Sequence, residues 1–145
     1  MLYLLVSIAH YKQLCKINQE LIDSIEGGMK NVCANHGVPY QPLRDGNAVY
    51  PLGAETSPRR VLEFVFHLYS AIEEKKEELF GFHLLLSVLE EAAGEALSRQ
   101  LKRQLLACEE DGEIWIDAGA ISLFAELAAT RRVGELWKVL DRALP

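Results

Sequence analysis

Two histidines and two cysteines near the start of the chain are side chains of the kind that bind zinc. They are His10, Cys15, Cys33 and His36. A structural zinc site needs two ligand pairs, each closely spaced along the chain. Cys33 and His36 form one such half-pair at a predicted helix end, but His10 and Cys15 do not supply a second one at the usual spacing. The pattern therefore disfavours a zinc site.

Ser7 and His10 are a second set that could do chemistry, as a nucleophile and its base. Ser7, however, ends an apolar run and lies in no Gly-x-Ser-x-Gly turn, the setting that exposes a nucleophilic serine in many hydrolases. A hydrolase triad is therefore not expected. His67 and His83 lie among apolar residues, which favours histidines packed in the core or near the surface.

Two charged residues each have a chemical and a structural interpretation. Asp45 could bind a metal ion, but it precedes Gly46, and an Asp-Gly pair is typical of a tight turn. Arg99 could contact a phosphate, yet Lys102 and Arg103 lie close to it, and together they favour a solvated helix face. The residues alone favour the structural interpretation for both positions and leave the chemical one open.

The composition limits the classes of partner. The chain has 145 residues, is 50% hydrophobic and carries a formal net charge of −6, which predicts one globular domain spanning residues 1–145. Its sequence pI of about 5.2 argues against nucleic acid and against an anionic membrane surface as partners. The apolar stretch 1–9 is too short to span a bilayer, so membrane insertion is not expected. Three cysteines without framework spacing favour a reducing, cytoplasmic location.

The first half of the chain predicts a strand, a long helix and a hairpin. Residues 2–8 are almost entirely apolar, as in a strand buried on both faces. Apolar residues then recur every three or four positions over 11–36, which predicts one helix ending before Gly37. Two extended stretches, 38–43 and 47–52, flank Asp45 and Gly46 and predict a hairpin.

The second half predicts helices alternating with strands. Ser57 and Pro58 are a typical helix start, and that helix ends in the charge run 73–78. The later elements are a strand at 80–89, a helix at 90–108, a strand at 113–116 and a helix capped by Asp117. The last stretch, 136–140, fits a closing strand or a helix, and the strand is favoured. This order predicts an α+β fold in which helices cover one face of a mixed sheet with a ferredoxin-like split βαβ core.

Several local phrases, in the correct order along nearly the whole chain, resemble the catalytic domain of class III nucleotide cyclases. The family's first strand ends in an Asp-Ile pair, its long helix ends in an Ala-His-Gly-like phrase, and its hairpin carries Gly-Asp. In this chain the matching phrases are Ser7-Ile8-Ala9-His10-Tyr11, Ala34-Asn35-His36-Gly37 and Arg44-Asp45-Gly46. Near the end, the phrase at 112–118 resembles the family's strand-to-helix phrase.

The resemblance implies a reaction in which the ribose 3′-hydroxyl of ATP or GTP attacks the α-phosphate and releases pyrophosphate. In the family, two divalent ions are held by the Asp of the first strand and the Asp of the hairpin, because such ions prefer carboxylate oxygens. Here Ser7 stands at the first position and Asp45 at the second. One carboxylate is a poor cradle for two metal ions.

Three further departures concern nucleotide binding. The base-reading lysine of adenylyl cyclases is replaced by Gln41, whose amide could still bind a purine edge. Glu95 and Arg99 stand where the family has Asn and Arg, so Arg99 keeps the phosphate-binding charge while Glu95 would repel phosphate. The family's hairpin before this helix has no counterpart where Leu89 runs into Glu90.

These departures predict a degenerate cyclase-like domain that serves as a non-catalytic regulatory or interaction module and requires no cofactor. The resemblance implies pairing as a homodimer or with another signalling domain. One alternative is a divergent purine nucleotide cyclase that uses Asp45 with Mg²⁺ or Mn²⁺. The other is a domain that senses a nucleotide through Gln41 and Arg99 without turnover.

Overall fold

The computed structural model describes residues 2–53, 56–75, 81–88 and 113–141. The strands are β1 (Leu2–Ile8), β2 (Asn47–Leu52), β3 (Phe82–Val88), β4 (Glu113–Asp117), β5 (Thr130–Val133) and β6 (Leu136–Val139). The helices are α1 (Tyr11–Ile17), α2 (Gln19–His36), α3 (Pro58–Glu73) and the single turn α4 (Ile121–Phe124). None of these helices is long and apolar enough to cross a membrane.

The six strands form one mixed sheet in the order β2-β1-β3-β4-β6-β5. β1 lies between two antiparallel neighbours, β2 and β3, whereas β3 and β4 run parallel. Leu4, Leu5 and Val6 are all fully buried, as predicted for a strand covered on both faces. The predicted α+β fold with a mixed sheet is confirmed.

The main core lies between one face of the sheet and the pair α2 and α3. Ile25 and Met29 of α2 and Leu62 of α3 have no exposed surface and pack in one cluster with alternate residues of the strands. Ser57 begins α3 as predicted, because its hydroxyl accepts a hydrogen bond from the backbone N–H of Arg60 at 3.3 Å. A smaller apolar cluster covers the opposite face, formed by Tyr3, Leu5, Leu85, Trp115 and Leu136.

The prediction of a single helix over 11–36 is wrong at Asn18. This residue leaves the helical region, with φ −151° and ψ 78°, and separates α1 from α2. Its side-chain oxygen accepts a hydrogen bond from the backbone N–H of Leu21 at 3.1 Å. An asparagine side chain that accepts from a free backbone N–H starts a new helix at that point. This capping conformation competes with a continuous helix in which Asn18 would be an interior residue. The apolar period continues across the break, so periodicity alone could not reveal it.

The prediction of an extended hairpin arm at 38–43 is also wrong. These residues form an irregular connection, and β2 pairs with β1 instead. Pro39 and Pro42 have no backbone N–H to donate, which explains why a ladder does not form there. The turn itself is present, since Asp45 and Gly46 have φ of 53° and 84° and a bridge joins Arg44 to Asn47.

The end of the chain contains a hairpin that the sequence patterns did not predict. β6 confirms the closing strand, but β5 precedes it, and Gly134 with φ 64° forms the turn between them. Asp117 is predicted to cap the following helix, but it ends β4, and that helix is the single turn α4 with Ala120 at its N-cap. The carboxylate of Asp117 accepts a hydrogen bond from the backbone N–H of Ala120 at 3.0 Å. The predicted helix at 90–108, the run 76–78 and the missing hairpin near Leu89 lie outside the described residues.

Candidate functional site

Ser7 lies in a line of polar residues that crosses the sheet. In the strand register it is opposite Asn47 of β2 on one side and His83 of β3 on the other. His83 is in turn opposite Glu113 of β4. Because side chains alternate along strands, these residues share the face opposite the helices. This polar row is defined as Asn47, Ser7, His83 and Glu113.

The turn that carries Asp45 is pressed against the same end of β1. The backbone N–H of Ile8 donates a hydrogen bond to the carbonyl of Gly46 at 2.8 Å. A Cβ atom at Gly46 would lie 2.6 Å from the Ile8 carbonyl oxygen and 2.8 Å from Cβ of Tyr11, so only glycine fits. The fold therefore brings Ser7 and Asp45, which are 38 positions apart in the sequence, to the same end of the sheet.

Asp45 is exposed, and its backbone is in the left-handed region that Asp tolerates in turns. Its carbonyl oxygen accepts a hydrogen bond from the side-chain amide of Asn47 at 3.2 Å, which completes the turn. The other carboxylate near the polar row, Glu113, contacts Lys138 at 3.4 Å, and both side chains are mostly buried. Glu113 lies two strand spacings from Ser7, about 10 Å.

This donor set does not fit two divalent cations. Close to Ser7 it offers one carboxylate and one neutral hydroxyl, while Glu113 is already neutralised by Lys138. Within the described ranges, no three His, Cys, Asp or Glu side chains are grouped so that they could hold one metal ion. The residues at this end of the sheet therefore do not support a two-metal reaction.

His83 is fixed in the polar row by Trp115. The indole N–H of Trp115 donates a hydrogen bond to Nδ1 of His83 at 3.3 Å. Because an indole N–H can only donate, Nδ1 of His83 must be the accepting nitrogen. Trp115 is 2% exposed and packs in the smaller apolar cluster. Trp115 thus links the polar row to the smaller apolar cluster on the same face of the sheet.

Gln41 lies in the irregular connection between α2 and β2. Its backbone carbonyl accepts a hydrogen bond from the hydroxyl of Tyr50 at 3.1 Å. Burial, together with the neighbouring Cys33, raises the pKa of Tyr50 well above its ordinary value, so this hydroxyl stays protonated and keeps donating. The structure therefore fixes the backbone at Gln41, and a role for its side chain in binding a purine stays a prediction. Arg99 and Glu95 lie outside the described residues.

The four residues weighed as zinc ligands do not share one environment. Cys33 is buried in the main core, while His10 has a left-handed backbone at the start of α1. His36 instead contacts His67 of α3, with Nε2 and Nδ1 of the two rings 2.7 Å apart. Sequence reasoning missed this pair, because its members are 31 positions apart and belong to different helices.

Comparison with known proteins finds the same fold in structures of very different sequence. No protein-family model and no curated protein sequence matches the chain. The guanylate cyclase domain of RhGC from Catenaria anguillulae, crystallised in complex with GTP, is 10% identical with a TM-score of 0.70, and the match covers 98% of this chain and 96% of that one.

Two further cyclase structures match over a similar extent. The adenylyl cyclase CyaB from P. aeruginosa is 12% identical with a TM-score of 0.68, covering 97% of this chain and 93% of that one. The monomeric guanylyl cyclase domain of the RhoGC fusion protein from the aquatic fungus Blastocladiella emersonii has the same identity and TM-score, with 96% and 93% covered. The chain therefore has the fold of class III adenylyl and guanylyl cyclase catalytic domains.

Proposed function

We propose that this chain is a non-catalytic cyclase-homology module that acts by pairing with a second copy of itself or with another signalling domain. The observation that carries the proposal is Ser7. At the end of β1, beside the turn that carries Asp45, the resemblance calls for a carboxylate, and this chain has a neutral hydroxyl.

Neither register neighbour of Ser7 supplies a substitute carboxylate. Its two register neighbours, Asn47 and His83, are an amide and an imidazole. Glu113 is the acidic member of the polar row, but moving it towards Ser7 would break its contact with Lys138 and leave a largely buried cation without its partner. Breaking such a pair costs several kcal/mol. A second carboxylate at this site would therefore have to come from elsewhere.

Pairing is supported by the fold and by the relatives that share it. The guanylyl cyclase domain from Blastocladiella emersonii has been crystallised both as a monomer and as a non-canonical dimer. A domain with this fold is thus compatible with either state, and the resemblance of this chain favours the dimer. The partner of this chain is then a second copy or a domain of the same fold.

The activity test is incubation of the purified chain with ATP or GTP and Mn²⁺ or Mg²⁺, followed by detection of cyclic nucleotide. We expect no turnover. The matched variants are Ser7→Asp, which supplies the second carboxylate, and Ser7→Asn, which has nearly the same shape without the charge. We expect Mn²⁺ to raise the melting temperature of Ser7→Asp and not that of Ser7→Asn or of the wild type.

Turnover by the wild-type chain that Asp45→Asn abolishes would contradict the proposal. Asp45→Asn is the right control because Asn tolerates the left-handed backbone at this position, so it removes the charge without adding strain. The proposal that Ser7 prevents metal binding would likewise be contradicted if Mn²⁺ raised the melting temperature of the wild type but not that of Asp45→Asn.

The pairing test is light scattering during size-exclusion chromatography over a dilution series. We expect a dimer at high micromolar concentration that dissociates on dilution. A monomer throughout the series would reject self-pairing and leave only a different partner domain.

A nucleotide-sensing module is the second candidate, because the RhGC domain that shares this fold was crystallised with GTP. Its test is thermal unfolding with ATP or GTP, with and without Gln41→Ala. A nucleotide-dependent rise in melting temperature that Gln41→Ala reduces would favour sensing over pure pairing.

A further inference from the structure

The strand β5 forms one edge of the sheet. It pairs with β6 on one side, and among the described strands none pairs with its other side. Three of its four residues, Arg131, Arg132 and Val133, are exposed, and Val133 keeps 43% of its surface in solvent. An edge strand presents a row of backbone N–H and C=O groups with which another strand can pair. The free edge of β5 is therefore a surface that a partner can use.

The register of the hairpin shows which backbone groups of β5 face outwards. In an antiparallel pair, opposite residues alternate between pairs that exchange hydrogen bonds and pairs that do not. The backbone N–H of Leu140 donates to the carbonyl of Ala129 at 2.8 Å, which marks this pair as a bonded one. By alternation, Arg131 also bonds to β6, whereas the N–H and C=O groups of Thr130 and Arg132 point away from it.

The turn of the hairpin agrees with this alternation. Val133 is opposite Leu136, so Gly134 and Glu135 form a two-residue loop. Gly134 has φ 64° and Glu135 has no positive φ, as in a type II′ turn with glycine at its first central position. Such a turn is closed by a hydrogen-bonded pair, and Val133 is two residues from Arg131. Both ends of β5 therefore give the same set of outward groups.

The opposite edge of the sheet is less open to a partner. It is formed by β2, which contains Pro51, a residue without a backbone N–H. The irregular connection before β2 also lies beside this strand, since the hydroxyl of Tyr50 donates to the carbonyl of Gln41. Proline in an edge strand is one of the ways in which proteins prevent unwanted pairing. β5 contains no proline, so all of its residues keep their N–H groups.

Two arginines give β5 its charge. Arg131 and Arg132 are neighbours in the strand, so their side chains lie on opposite faces of the sheet. The guanidinium carbon of Arg132 lies 5.3 Å from the ring centroid of Trp137, and its Nε donates to the carbonyl of Gly134 at 3.0 Å. These contacts hold the charge of Arg132 beside the edge. Among the described side chains, no ion pair holds Arg131.

We propose that the free edge of β5 binds an extended acidic segment of a partner protein, which joins the sheet as a further strand. Backbone hydrogen bonds to Thr130 and Arg132 provide the pairing, and two successive acidic side chains meet one arginine on each face. A second copy of the chain fits less well. In the register that uses all the outward groups, the two Arg131 side chains would lie directly opposite each other, and like charges in that position are destabilising. The arginines thus exclude many strands and admit an acidic one.

Neighbouring charges set the strength of this interaction. Glu126 precedes β5, Glu135 lies in the turn and Asp141 follows β6, so acidic residues flank the strand without being part of it. The arginines are exposed, and salt screens exposed charges. A four-residue edge also offers few hydrogen bonds. Binding should therefore be weak, in the high micromolar range, and should weaken further as salt is added.

The first test is fluorescence anisotropy with the full chain and the acetylated peptide Ser-Val-Glu-Glu-Val-Ser, labelled with a neutral dye. Matched peptides have glutamine or lysine in place of both glutamates. We expect the acidic peptide to bind at least about tenfold more tightly than the lysine peptide, because opposite charges meet across the new pair. Arg131→Gln should weaken binding of the acidic peptide and leave that of the glutamine peptide unchanged.

Two variants of Thr130 separate strand addition from simple attraction between charges. Thr130→Pro removes an outward N–H and leaves the hydrogen bonds between β5 and β6 in place, while Thr130→Ala keeps that N–H. The preceding residue, Ala129, is already paired with Leu140 in an extended backbone, which suits a following proline. Thr130→Pro should bind the acidic peptide at least about fivefold more weakly than Thr130→Ala, since one backbone hydrogen bond is lost. Circular dichroism checks that both variants fold.

Amide hydrogen exchange provides a second measurement on the wild-type chain. The N–H groups of Thr130 and Arg132 should exchange quickly without the peptide and more slowly with it, whereas that of Arg131 should be protected in both states. Equal affinity of the two Thr130 variants, equal binding of the acidic and lysine peptides, or no binding at millimolar peptide would overturn the proposal. Loss of self-association in Thr130→Pro would assign the edge to a second copy and overturn the choice of an acidic partner. None of these results bears on metal binding at Ser7.

Discussion

Gly46 is the residue on which the arrangement of Ser7 and Asp45 depends most directly. Its φ is 84°, and an added Cβ would lie 2.6 Å from the carbonyl oxygen of Ile8 and 2.8 Å from Cβ of Tyr11. Gly46→Ala therefore adds two costs, a left-handed backbone at about 1–2 kcal/mol and overpacking against a fixed neighbour at about 1–3 kcal/mol. We expect the free energy of unfolding to fall by about 2–5 kcal/mol.

Two other glycines of the chain separate these costs. Gly37 has φ 65° with nothing within 4 Å of an added Cβ, so Gly37→Ala should show the backbone cost alone. Gly27 lies inside α2, also with open space, and Gly27→Ala should stabilise the chain by about 0.5–1 kcal/mol because alanine favours the helix.

The assay is urea unfolding of the four proteins, monitored by circular dichroism. The expected order of stability is Gly27→Ala, wild type, Gly37→Ala, then Gly46→Ala. The reasoning would be refuted if Gly46→Ala lost no more stability than Gly37→Ala, because the close packing of the turn on β1 would then carry no cost.

Four further predictions concern the helix break, a buried carboxylate and two titrations. Asn18→Ala should lower the free energy of unfolding by about 1 kcal/mol through loss of the α2 cap, while the exposed Asn31→Ala inside the same helix should not; equal effects in urea unfolding would contradict the cap. Asp117→Ala should cost about 2–4 kcal/mol by the same assay, because the carboxylate accepts hydrogen bonds from the Ser87 hydroxyl and the Ala120 N–H in a buried setting; a loss below 1 kcal/mol would count against it. Burial, and after it Cys15, raises the pKa of Tyr11 from 10.0 to about 12. The unfolded chain therefore loses its phenolic proton at lower pH than the folded chain, and the free energy of unfolding should fall as the pH rises from about 10 towards 12. This fall should be smaller in Tyr11→Phe. Burial, and after it His67, lowers the pKa of His36 below 6.5. As the pH falls through 6.5 the unfolded chain gains its proton first, so the free energy of unfolding should decrease there. This decrease should be smaller in His36→Gln.

The sequence was sufficient to predict the elements whose own residues determine them. The all-apolar run at 2–8, the Ser57-Pro58 start of α3 and the apolar run that becomes β3 each carry a local signal, and each is found within a residue or two. The fold class followed from their order. The break at Asn18 could not be predicted in this way, because an asparagine cap does not disturb the apolar period. The β5–β6 hairpin could not be predicted either, because β5 has mostly exposed residues.

The candidate site divides in the same way. Ser7 and Asp45 were found by matching short phrases, since each lies where a strand or turn pattern is recognisable. The neighbours that decide what Ser7 can do, Asn47 and His83, follow only from strand register. Register depends on packing across the sheet, and a shift of one residue that brought Ala48 and Leu84 opposite Ser7 would replace both neighbours by buried core residues.

The polar row also bears on how tightly a carboxylate introduced at Ser7 would bind a cation. An aspartate at this position would lie between an amide and an imidazole. Nδ1 of His83 already accepts a hydrogen bond from the Trp115 N–H, so it is not open to a proton or a metal ion. The remaining nitrogen, Nε2, carries the hydrogen in the neutral ring, so towards a new carboxylate it could act only as a donor and would not compete with it for a cation. His83 would therefore stabilise the charge of the aspartate, so that Ser7→Asp with His83→Ala should bind Mn²⁺ less tightly at neutral pH than Ser7→Asp alone. Thermal unfolding with Mn²⁺ compares the two directly, and tighter binding in the double variant would show that the imidazole hinders the cation.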